Sequence, residues 1–334
     1  MRLSWHAQTQ KMKILVAGGA GYIGSCTVEY LLEHGHDVAV YDGLITGHRD
    51  AVDDRAKFYF GNLSDKDALS KAMSEFQPEG VIHFAAFIEV GESMTDPGKY
   101  FGNNVANAIN LAEAAARANV RKIVFSSTAA VYGMPERVPI KETEPTKPIN
   151  PYGESKLMFE KVLSWYFKIY GMQYVALRYF NACGATAIHG EDHKPESHLI
   201  PLVMQAAEGK RPSVSVFGTD YDTPDGTCIR DYVHVLDLAQ AHLLALQSDV
   251  SGSFNLGSGQ GHSVKSIIDT VRKVTGRDFK VEYAARRPGD PARLLSDSTQ
   301  AKEVLGWKLK YDNIDTIVET AWAWRQAHPN GYEK

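Results

Sequence analysis

The first half of the sequence alternates short apolar runs with amphipathic segments, and this alternation restricts the folds open to the chain more than any other feature. Segments of helical periodicity at 25–34, 65–76, 100–118 and 151–170 separate the runs. Continuously apolar runs are typical of strands buried on both faces. The alternation therefore predicts an α/β fold, a doubly wound parallel sheet with helices on both sides. The predicted strands are KILVAGG, HDVAVYDG, KFYFGN, GVIHFAA, RKIVFSS and QYVALRYFN.

Nearly every predicted strand ends in small or polar residues. These are Gly18–Gly19, Asp42, Asn62, Ala85–Ala86, Ser126–Thr128 and Asn181. In open parallel sheets, ligands bind just beyond the carboxyl ends of the strands. We therefore expect the functional site along this edge of the sheet.

The stretch GGAGYIG, which begins at Gly18, follows the first strand and opens a helix. Gly18, Gly21 and Gly24 let backbone amides at a helix N-terminus approach a pyrophosphate. Asp42 ends the second strand, where a carboxylate binds the adenosine ribose and repels a 2′-phosphate, which favours NAD over NADP. The alternatives are a ligand-free glycine turn and a turn-initiating aspartate before Gly43. Together, the strand, glycines, helix and Asp42 favour a Rossmann-like NAD-binding domain.

The pattern changes after Asn181, and this change divides the chain. Residues 12–181 form the predicted NAD-binding domain, together with a return element at about 232–250 that packs back on the sheet. Residues 182–334 are predicted to form mainly a smaller mixed α/β lobe that binds the substrate. Residues 1–11 lack the apolar centre of a signal peptide and are predicted to be a disordered extension.

Composition and charge argue against several classes of protein. The 334 residues carry a net charge of −4 without a long basic run, which argues against a nucleic-acid surface. No apolar run approaches the ~18 residues of a membrane span. Cys26, Cys183 and Cys228 lie far apart without metal or redox spacing, as expected for reduced thiols of a cytoplasmic protein.

A tyrosine and a lysine lie one helical turn apart in the stretch NPYGESK. Asn150 is a good N-cap and Pro151 suits the first helical position, so Tyr152 and Lys156 are predicted to lie side by side. A free phenol has a pKa near ~10, and the ammonium of Lys156 with the positive nicotinamide of NAD would favour the phenolate. Tyr152 would then take a proton from an alcohol that is hydrogen-bonded to Thr128. The alternative is an ordinary surface helix.

These motifs carry a resemblance to a known family. From Met12 to about Tyr332, the chain resembles the extended short-chain dehydrogenase/reductases, and among them the UDP-glucose (UDP-galactose) 4-epimerases. The resemblance implies that Tyr152 is the general base, that Lys156 is its electrostatic partner and ribose anchor, and that Thr128 bridges to the sugar. The motifs are GGAGYIG, VIHFAA, VGES, NNV, FSSTAAVYG, PYGESK, LRYFNACGA, FGTDYDTPDGTCIRDYVHV, NLGSG and RRPGD.

The resemblance also implies two sets of binding residues and a homodimer that pairs helices 100–118 and 151–170. Arg230 and Arg287 independently suit a diphosphate, although surface salt bridges are the alternative. The NAD set is Gly18, Gly21, Tyr22, Ile23, Gly24, Asp42, Gly43, Leu44, Thr46, Asn62, Leu63, Phe84, Ala85, Ala86, Ile88, Asn103, Ser126, Tyr152, Lys156 and Phe180. The UDP-hexose set is Thr128, Asn181, His198, Leu199, Ser215, Val216, Phe217, Arg230, Arg287, Asp290 and Leu294.

The two residues after Thr128 distinguish between reactions of this superfamily. Related 4,6-dehydratases place an Asp-Glu pair, and sugar-acid decarboxylases a glutamate, where this chain has Ala129 and Ala130. Without an acid there, a 4-keto sugar can only be reduced again, and reduction on its other face inverts C4. The resemblance therefore implies reversible epimerisation of UDP-glucose and UDP-galactose with bound NAD. A non-catalytic NAD-binding sensor is the second hypothesis, but it needs neither the Tyr/Lys pair nor the two arginines.

Several positions depart from the family pattern or bear on specificity. Asn62 replaces a frequent aspartate near the adenine, Ile88 replaces a cofactor-contacting lysine, and His198 replaces an asparagine. Retained but weaker NAD binding is expected. The residue near the sugar's C2 substituent is Leu294 in an ungapped alignment and Arg293 if a gap is allowed. Leucine is smaller than the tyrosine that excludes an N-acetyl group, so the ungapped alignment predicts tolerance of N-acetylhexosamines.

Histidines and acids between 189 and 198 raise the alternative of a metal site. Zinc sites need closely matched ligand geometry, whereas this segment is polar, contains proline and is predicted to be a loop. The chemistry above also needs no metal, so none is predicted. The candidate ligands weighed were His189, Glu191, Asp192, His193 and His198.

Overall fold

A seven-stranded parallel sheet organises the molecule. The computed structural model describes residues 11–287 and 289–333, and the strand order in this sheet is β10-β6-β5-β4-β1-β2-β3. Two smaller sheets lie in the C-terminal part: in one, β9 pairs with β7, β11 and β13, and in the other, β8 pairs with β12. The strands are β1 (Lys13–Ala17), β2 (Asp37–Asp42), β3 (Lys57–Phe60), β4 (Gly80–His83), β5 (Lys122–Thr128), β6 (Gln173–Tyr179), β7 (Asn181–Cys183), β8 (Val214–Phe217), β9 (Ile229–His234), β10 (Gly252–Leu256), β11 (Gly261–Ser263), β12 (Val281–Ala284) and β13 (Arg293–Leu294).

The predicted α/β fold with a doubly wound parallel sheet is confirmed. All six predicted strands are present as β1 to β6, and every pairing within the large sheet is parallel. The sequence analysis did not predict β10, which adds a seventh strand beside β6. Its residues GSFNL begin with a glycine and contain a serine and an asparagine, so they lack the continuous apolar character of the others.

Helices cover both faces of this sheet. Helices α1 and α8 pack together on one face, where Val28, Leu31 and Leu238 join the core. Helices α2, α5 and α6 cover the other face. The helices are α1 (Tyr22–Glu33), α2 (Lys66–Phe76), α3 (Val90–Ser93), α4 (Pro97–Phe101), α5 (Ala108–Arg117), α6 (Pro151–Tyr170), α7 (Leu199–Ala207), α8 (Val235–Gln247), α9 (Val264–Thr275), α10 (Thr299–Val304) and α11 (Ile314–Ala327).

The helix predicted over 100–118 is longer and less regular than expected. Helices α4 and α5 are joined by a π-helical turn, Gly102–Asn107, so the chain is helical from Pro97 to Arg117. Such turns often occur at functional sites. Here the turn carries Asn103, a predicted cofactor residue.

The C-terminal part has a core of its own, formed by helices α7, α9 and α11 around β7, β8 and β9. Its division from the NAD-binding domain at Asn181 stays a prediction, as does the return element at 232–250, although α8 does pack on the large sheet. The extension predicted over residues 1–11 lies, apart from Lys11, outside the described residues. Among the residues described, no helix is both long and apolar enough to cross a membrane.

Candidate functional site

A cleft of about 660 Å³ opens at the carboxyl ends of the sheet strands, where the sequence analysis placed the site. It contains most of the predicted NAD residues and three predicted UDP-hexose residues. The predicted residues that line it are Gly18, Gly21, Tyr22, Ile23, Gly24, Asp42, Gly43, Thr46, Asn62, Leu63, Phe84, Ala85, Ala86, Ile88, Asn103, Ser126, Thr128, Tyr152, Phe180, Asn181 and His198. Lys156 lies fully buried beside this lining.

The three glycines of the first loop have different environments. Gly18 has φ +83°, and a Cβ there would lie 2.4 Å from the amide nitrogen of Ala85. A Cβ at Gly24 would lie 2.2 Å from the carbonyl oxygen of Gly18. Both glycines are therefore required for chain packing. A Cβ at Gly21 would meet only one atom, at 3.6 Å, so this residue faces open space at the N-terminus of α1.

Asp42 holds the loop from the next strand. Its Oδ2 accepts a hydrogen bond from the amide of Ala20 (3.0 Å), and its Oδ1 accepts one from the amide of Leu44 (2.8 Å). Burial raises the pKa of this carboxyl group, while the two amides oppose the rise. Because each carboxylate oxygen has a second lone pair, the side chain can still accept bonds from a diol in the cleft.

This corner of the cleft fits a dinucleotide. The amides of the first helical turn have no partner within the helix and carry positive partial charge. Gly21 keeps side-chain atoms away from them, and a larger residue would fill that space. Asp42 supplies the acceptor that a ribose needs.

Tyr152, Thr128 and Lys156 meet at the ends of β5 and α6. Asn150 caps α6 by accepting a hydrogen bond from the amide of Gly153 (2.8 Å), as predicted. The hydroxyl of Thr128 lies beside the phenol of Tyr152 and lowers its pKa. Lys156 Nζ lies 5.9 Å from the centre of the Tyr152 ring and donates a hydrogen bond to the carbonyl of Ser126 (2.9 Å).

The electrostatics of this trio differ from the sequence expectation. The pKa of Tyr152 is raised to about 12, mainly because of burial; the Thr128 hydroxyl opposes this rise, and the charge of Glu89 adds to it. Burial also lowers the pKa of Lys156 to about 7. The expected lowering of the phenol pKa is therefore absent from the protein alone, because desolvation of the phenolate outweighs its polar neighbours. A positive charge placed in the cleft would instead lower the pKa of Tyr152.

The predicted binding sets omit several charged residues that line the cleft, two of which, Glu191 and His193, were weighed only as metal ligands. The omitted residues are Glu89, Glu92, Lys99, Glu191, His193 and Lys194. Glu89, Glu92 and Lys99 follow β4, a few residues after the predicted Ala85 and Ala86. The prediction would have included them if it had considered more residues after that strand. Glu89 matters most, because its carboxylate acts on the pKa of Tyr152 although no acid directly follows Thr128.

The remaining predicted UDP-hexose residues lie in the C-terminal part and contact one another. Arg230 forms an ion pair with Asp290, and the guanidinium of Arg287 lies 3.9 Å from the ring centre of Phe217. Leu294 pairs with Arg230 between β13 and β9. The remaining predicted residues outside the cleft lining are Leu44, Leu199, Ser215 and Val216.

The two candidates for the specificity position face different surroundings. Leu294 is half-buried and packs in a cluster with Phe180, which lines the cleft. Arg293 is exposed and donates a hydrogen bond to the carbonyl of Asp222 (3.2 Å). Of these two residues, only Leu294 shares an apolar cluster with a residue of the cleft lining.

Comparisons with known proteins agree with this geometry. A family model described as the NAD dependent epimerase/dehydratase family matches residues 14–257. The UDP-glucose 4-epimerase of Lacticaseibacillus casei is 53% identical over 327 residues, which cover 96% of this chain and 99% of that protein. The structure of UDP-glucose 4-epimerase from Brucella ovis in complex with NAD is 47% identical, with a TM-score of 0.91 over 93% of this chain and 97% of that one.

A third similar protein bears on substrate range. The structure of the UDP-Glc/GlcNAc 4-epimerase from Campylobacter jejuni is 42% identical, with a TM-score of 0.85 over 95% of this chain and 99% of that one. The family match and the identity over nearly the full length of these relatives carry one conclusion. The chain belongs to the NAD dependent epimerase/dehydratase family of extended short-chain dehydrogenase/reductases, among the UDP-glucose 4-epimerases.

Proposed function

We propose that the chain interconverts UDP-glucose and UDP-galactose by inverting C4 of the hexose, using tightly held NAD. The observation that carries the proposal is the trio of Tyr152, Thr128 and Lys156 next to a glycine loop shaped for a dinucleotide. The similarity to UDP-glucose 4-epimerases supports it. The reduced cysteines expected from the sequence support a cytoplasmic location.

Tyr152 takes and returns the proton of the C4 hydroxyl. Its phenol lies beside the hydroxyl of Thr128, which can orient the same sugar oxygen. The amine of Lys156 is held in place by its hydrogen bond to the carbonyl of Ser126, and it supplies positive charge beside the phenol. A group that gives and recovers a proton in each cycle leaves the enzyme unchanged.

NAD supplies the reversible removal of hydrogen from C4 when it is bound. The amides around Gly21 would hold its pyrophosphate, and Asp42 would hold the adenosine ribose. Ala129 and Ala130 present no acid that could expel another substituent of the sugar, so the ketone is reduced rather than dehydrated.

The experiment that tests the function is an assay without added cofactor. Purified protein is incubated with UDP-galactose, and UDP-glucose is measured. We expect conversion by the wild type and almost none by Tyr152→Phe. If the wild type binds NAD but converts neither sugar, the protein is a non-catalytic NAD-binding sensor.

We propose that the substrate range includes N-acetylhexosamines, because Leu294 is smaller than the tyrosine that excludes an N-acetyl group. Leu294 packs against the same apolar cluster as Phe180 of the cleft lining, which supports the ungapped alignment. The similar protein from Campylobacter jejuni is named for both sugar types. Comparing kcat/KM for UDP-N-acetylglucosamine and UDP-glucose tests this, with Leu294→Tyr as the variant expected to lose the acetylated sugar and Arg293→Tyr as its control. A wild type that rejects the acetylated sugar, or a Leu294→Tyr enzyme that still accepts it, contradicts the idea.

The protein forms a homodimer in this proposal, through the face that α6 leaves exposed. Met158, Trp165 and Ile169 are exposed and lie seven and four residues apart, which places them on one side of the helix. We expect light scattering to give twice the chain mass of 36.9 kDa. Trp165→Glu should lower that mass, whereas Ile188→Glu, which alters an exposed residue elsewhere, should not. A wild-type mass near 36.9 kDa contradicts the homodimer.

A further inference from the structure

Two histidines and two glutamates converge on the wall of the cleft. One ligand atom from each of Glu191, His193, Glu196 and His198 lies within 4.8 Å of all the others. The sequence analysis weighed a metal here without Glu196 and predicted none. The structure brings Glu196 into the group, because its carboxylate folds back toward His198 (2.9 Å).

The structure also removes two of the earlier candidates. His189 Nδ1 lies 2.7 Å from Glu29 Oε2, away from the group. Asp192 accepts a hydrogen bond from the amide of Tyr332 and faces His48. What remains is a compact set with the spacing Glu-x-His-x-x-Glu-x-His.

The distances within the set lie on both sides of those between the ligands of a tetrahedral metal ion, and none exceeds 4.8 Å. Zinc bound at ~2.0–2.1 Å by nitrogen and oxygen ligands places neighbouring ligand atoms roughly 3.3 Å apart. Glu191 Oε1 lies 3.2 Å from His193 Nδ1 and 2.9 Å from His198 Nδ1. His193 Nδ1 lies 4.0 Å from Glu196 Oε2. Small side-chain movements would equalise these distances.

A buried nitrogen supports the same assignment independently. His193 Nδ1 is inaccessible to solvent, and its contact with Glu191 Oε1 at 3.2 Å does not have the geometry of a good hydrogen bond. A buried polar atom that is poorly hydrogen-bonded is costly and calls for an explanation such as an ion. Two carboxylates and two neutral imidazoles would balance the charge of one divalent cation.

We propose that Glu191, His193, Glu196 and His198 bind one Zn²⁺ ion. Imidazole and carboxylate ligands suit zinc, and four protein ligands form a closed site of the structural type. The ion would fix the segment that joins the cleft to α7, since His198 is the N-cap of that helix. It would also hold His193 against Tyr22, whose ring lies 6.2 Å away at the start of α1.

The metal content of the protein tests the proposal independently of catalysis. The full-length protein is purified without chelators, incubated with Zn²⁺, gel-filtered and analysed by elemental mass spectrometry. We expect one zinc ion per chain in the wild type and in His34→Ala, which alters an exposed histidine at the C-cap of α1. We expect a loss of that zinc in His193→Ala. Equal zinc content in the wild type and His193→Ala overturns the proposal, as does an equal loss in His34→Ala.

Cobalt and heat provide a second test on the wild type alone, in case His193→Ala does not fold. Chelator-treated protein that receives one equivalent of Co²⁺ should develop the intense visible absorption of a tetrahedral site. Chelation should lower the melting temperature, and Zn²⁺ but not Mg²⁺ should restore it. A weak octahedral spectrum, or a melting temperature that chelation leaves unchanged, contradicts the proposal. The four side chains would then be held together by hydrogen bonds and ion pairs between protonated and ionised groups, without a metal.

Discussion

The predicted site has two halves that are constructed differently: a cofactor half that lines the cleft, and a sugar-nucleotide half in the C-terminal part whose residues lie outside the cleft lining. The cofactor half consists of the residues that follow β1 to β4, from the glycine loop to Ile88. These residues come from neighbouring strands of one parallel sheet, so the sheet itself places them side by side. The sugar-nucleotide half consists of Phe217, Arg230, Arg287, Asp290 and Leu294. These residues come from two small sheets and the segment between β12 and β13.

This difference affects how each half is prepared for its ligand. Gly21 and the helix amides stand open to the cleft, and Asp42 keeps unused lone pairs. Arg230, by contrast, is already paired with Asp290. A diphosphate must share the guanidinium with that carboxylate or displace it. We therefore expect tight, preorganised cofactor binding and weaker sugar-nucleotide binding that depends on an exchange of partners.

Removing the hydroxyl of Tyr152 should have the largest effect on turnover, because Tyr152, Thr128 and Lys156 serve both halves of the site. Tyr152→Phe is expected to lower kcat by roughly 10²–10⁴-fold, the usual contribution of a general acid–base group. NAD content and melting temperature should stay near those of the wild type, since little volume is lost. Tyr170→Phe, at the exposed end of the same helix, is the control. A Tyr152→Phe enzyme with near-normal turnover would remove this residue from the mechanism.

Variants in the two halves should separate NAD retention from substrate affinity. Arg230→Met is expected to raise KM for UDP-galactose by roughly 10–100-fold, since hydrogen bonds to charged groups contribute about 1.5–3 kcal/mol. Asp42→Ala should instead lower the NAD recovered with the purified protein. Kinetics and the NAD released on denaturation measure both properties in each variant, with Arg293→Met as the control. If each variant alters both properties equally, the two halves are not independent.

The smallest expected effect concerns Glu89. Its negative charge raises the pKa of Tyr152, so Glu89→Gln should lower that pKa and make the phenolate available at lower pH. The acidic limb of the pH profile of kcat should then move toward lower pH. Glu75→Gln, an exposed change of the same charge on α2, should leave the profile in place. A shift in the opposite direction would show that Glu89 assists proton transfer rather than opposing it.

The sequence predicted the cofactor half better than the sugar-nucleotide half, for a physical reason. Strand ends and glycine spacing are local signals, and a parallel sheet converts them into neighbours in space. The pairing of Arg230 with Asp290 joins residues 60 positions apart, and no local pattern announces it. The strand β10 was missed because GSFNL lacks a continuous apolar run. The rise in the pKa of Tyr152 depends on burial and on Glu89, which only the folded chain reveals.

The central claim is that hydrogen removed from C4 of the sugar returns to C4 on the same enzyme molecule. The most direct test uses UDP-galactose carrying deuterium at C4, incubated with purified protein and no added NAD. The account predicts UDP-glucose that retains the deuterium at C4, with no net change in the oxidation state of the bound cofactor. Loss of deuterium to solvent, or a turnover that stops unless fresh NAD is added, would contradict it.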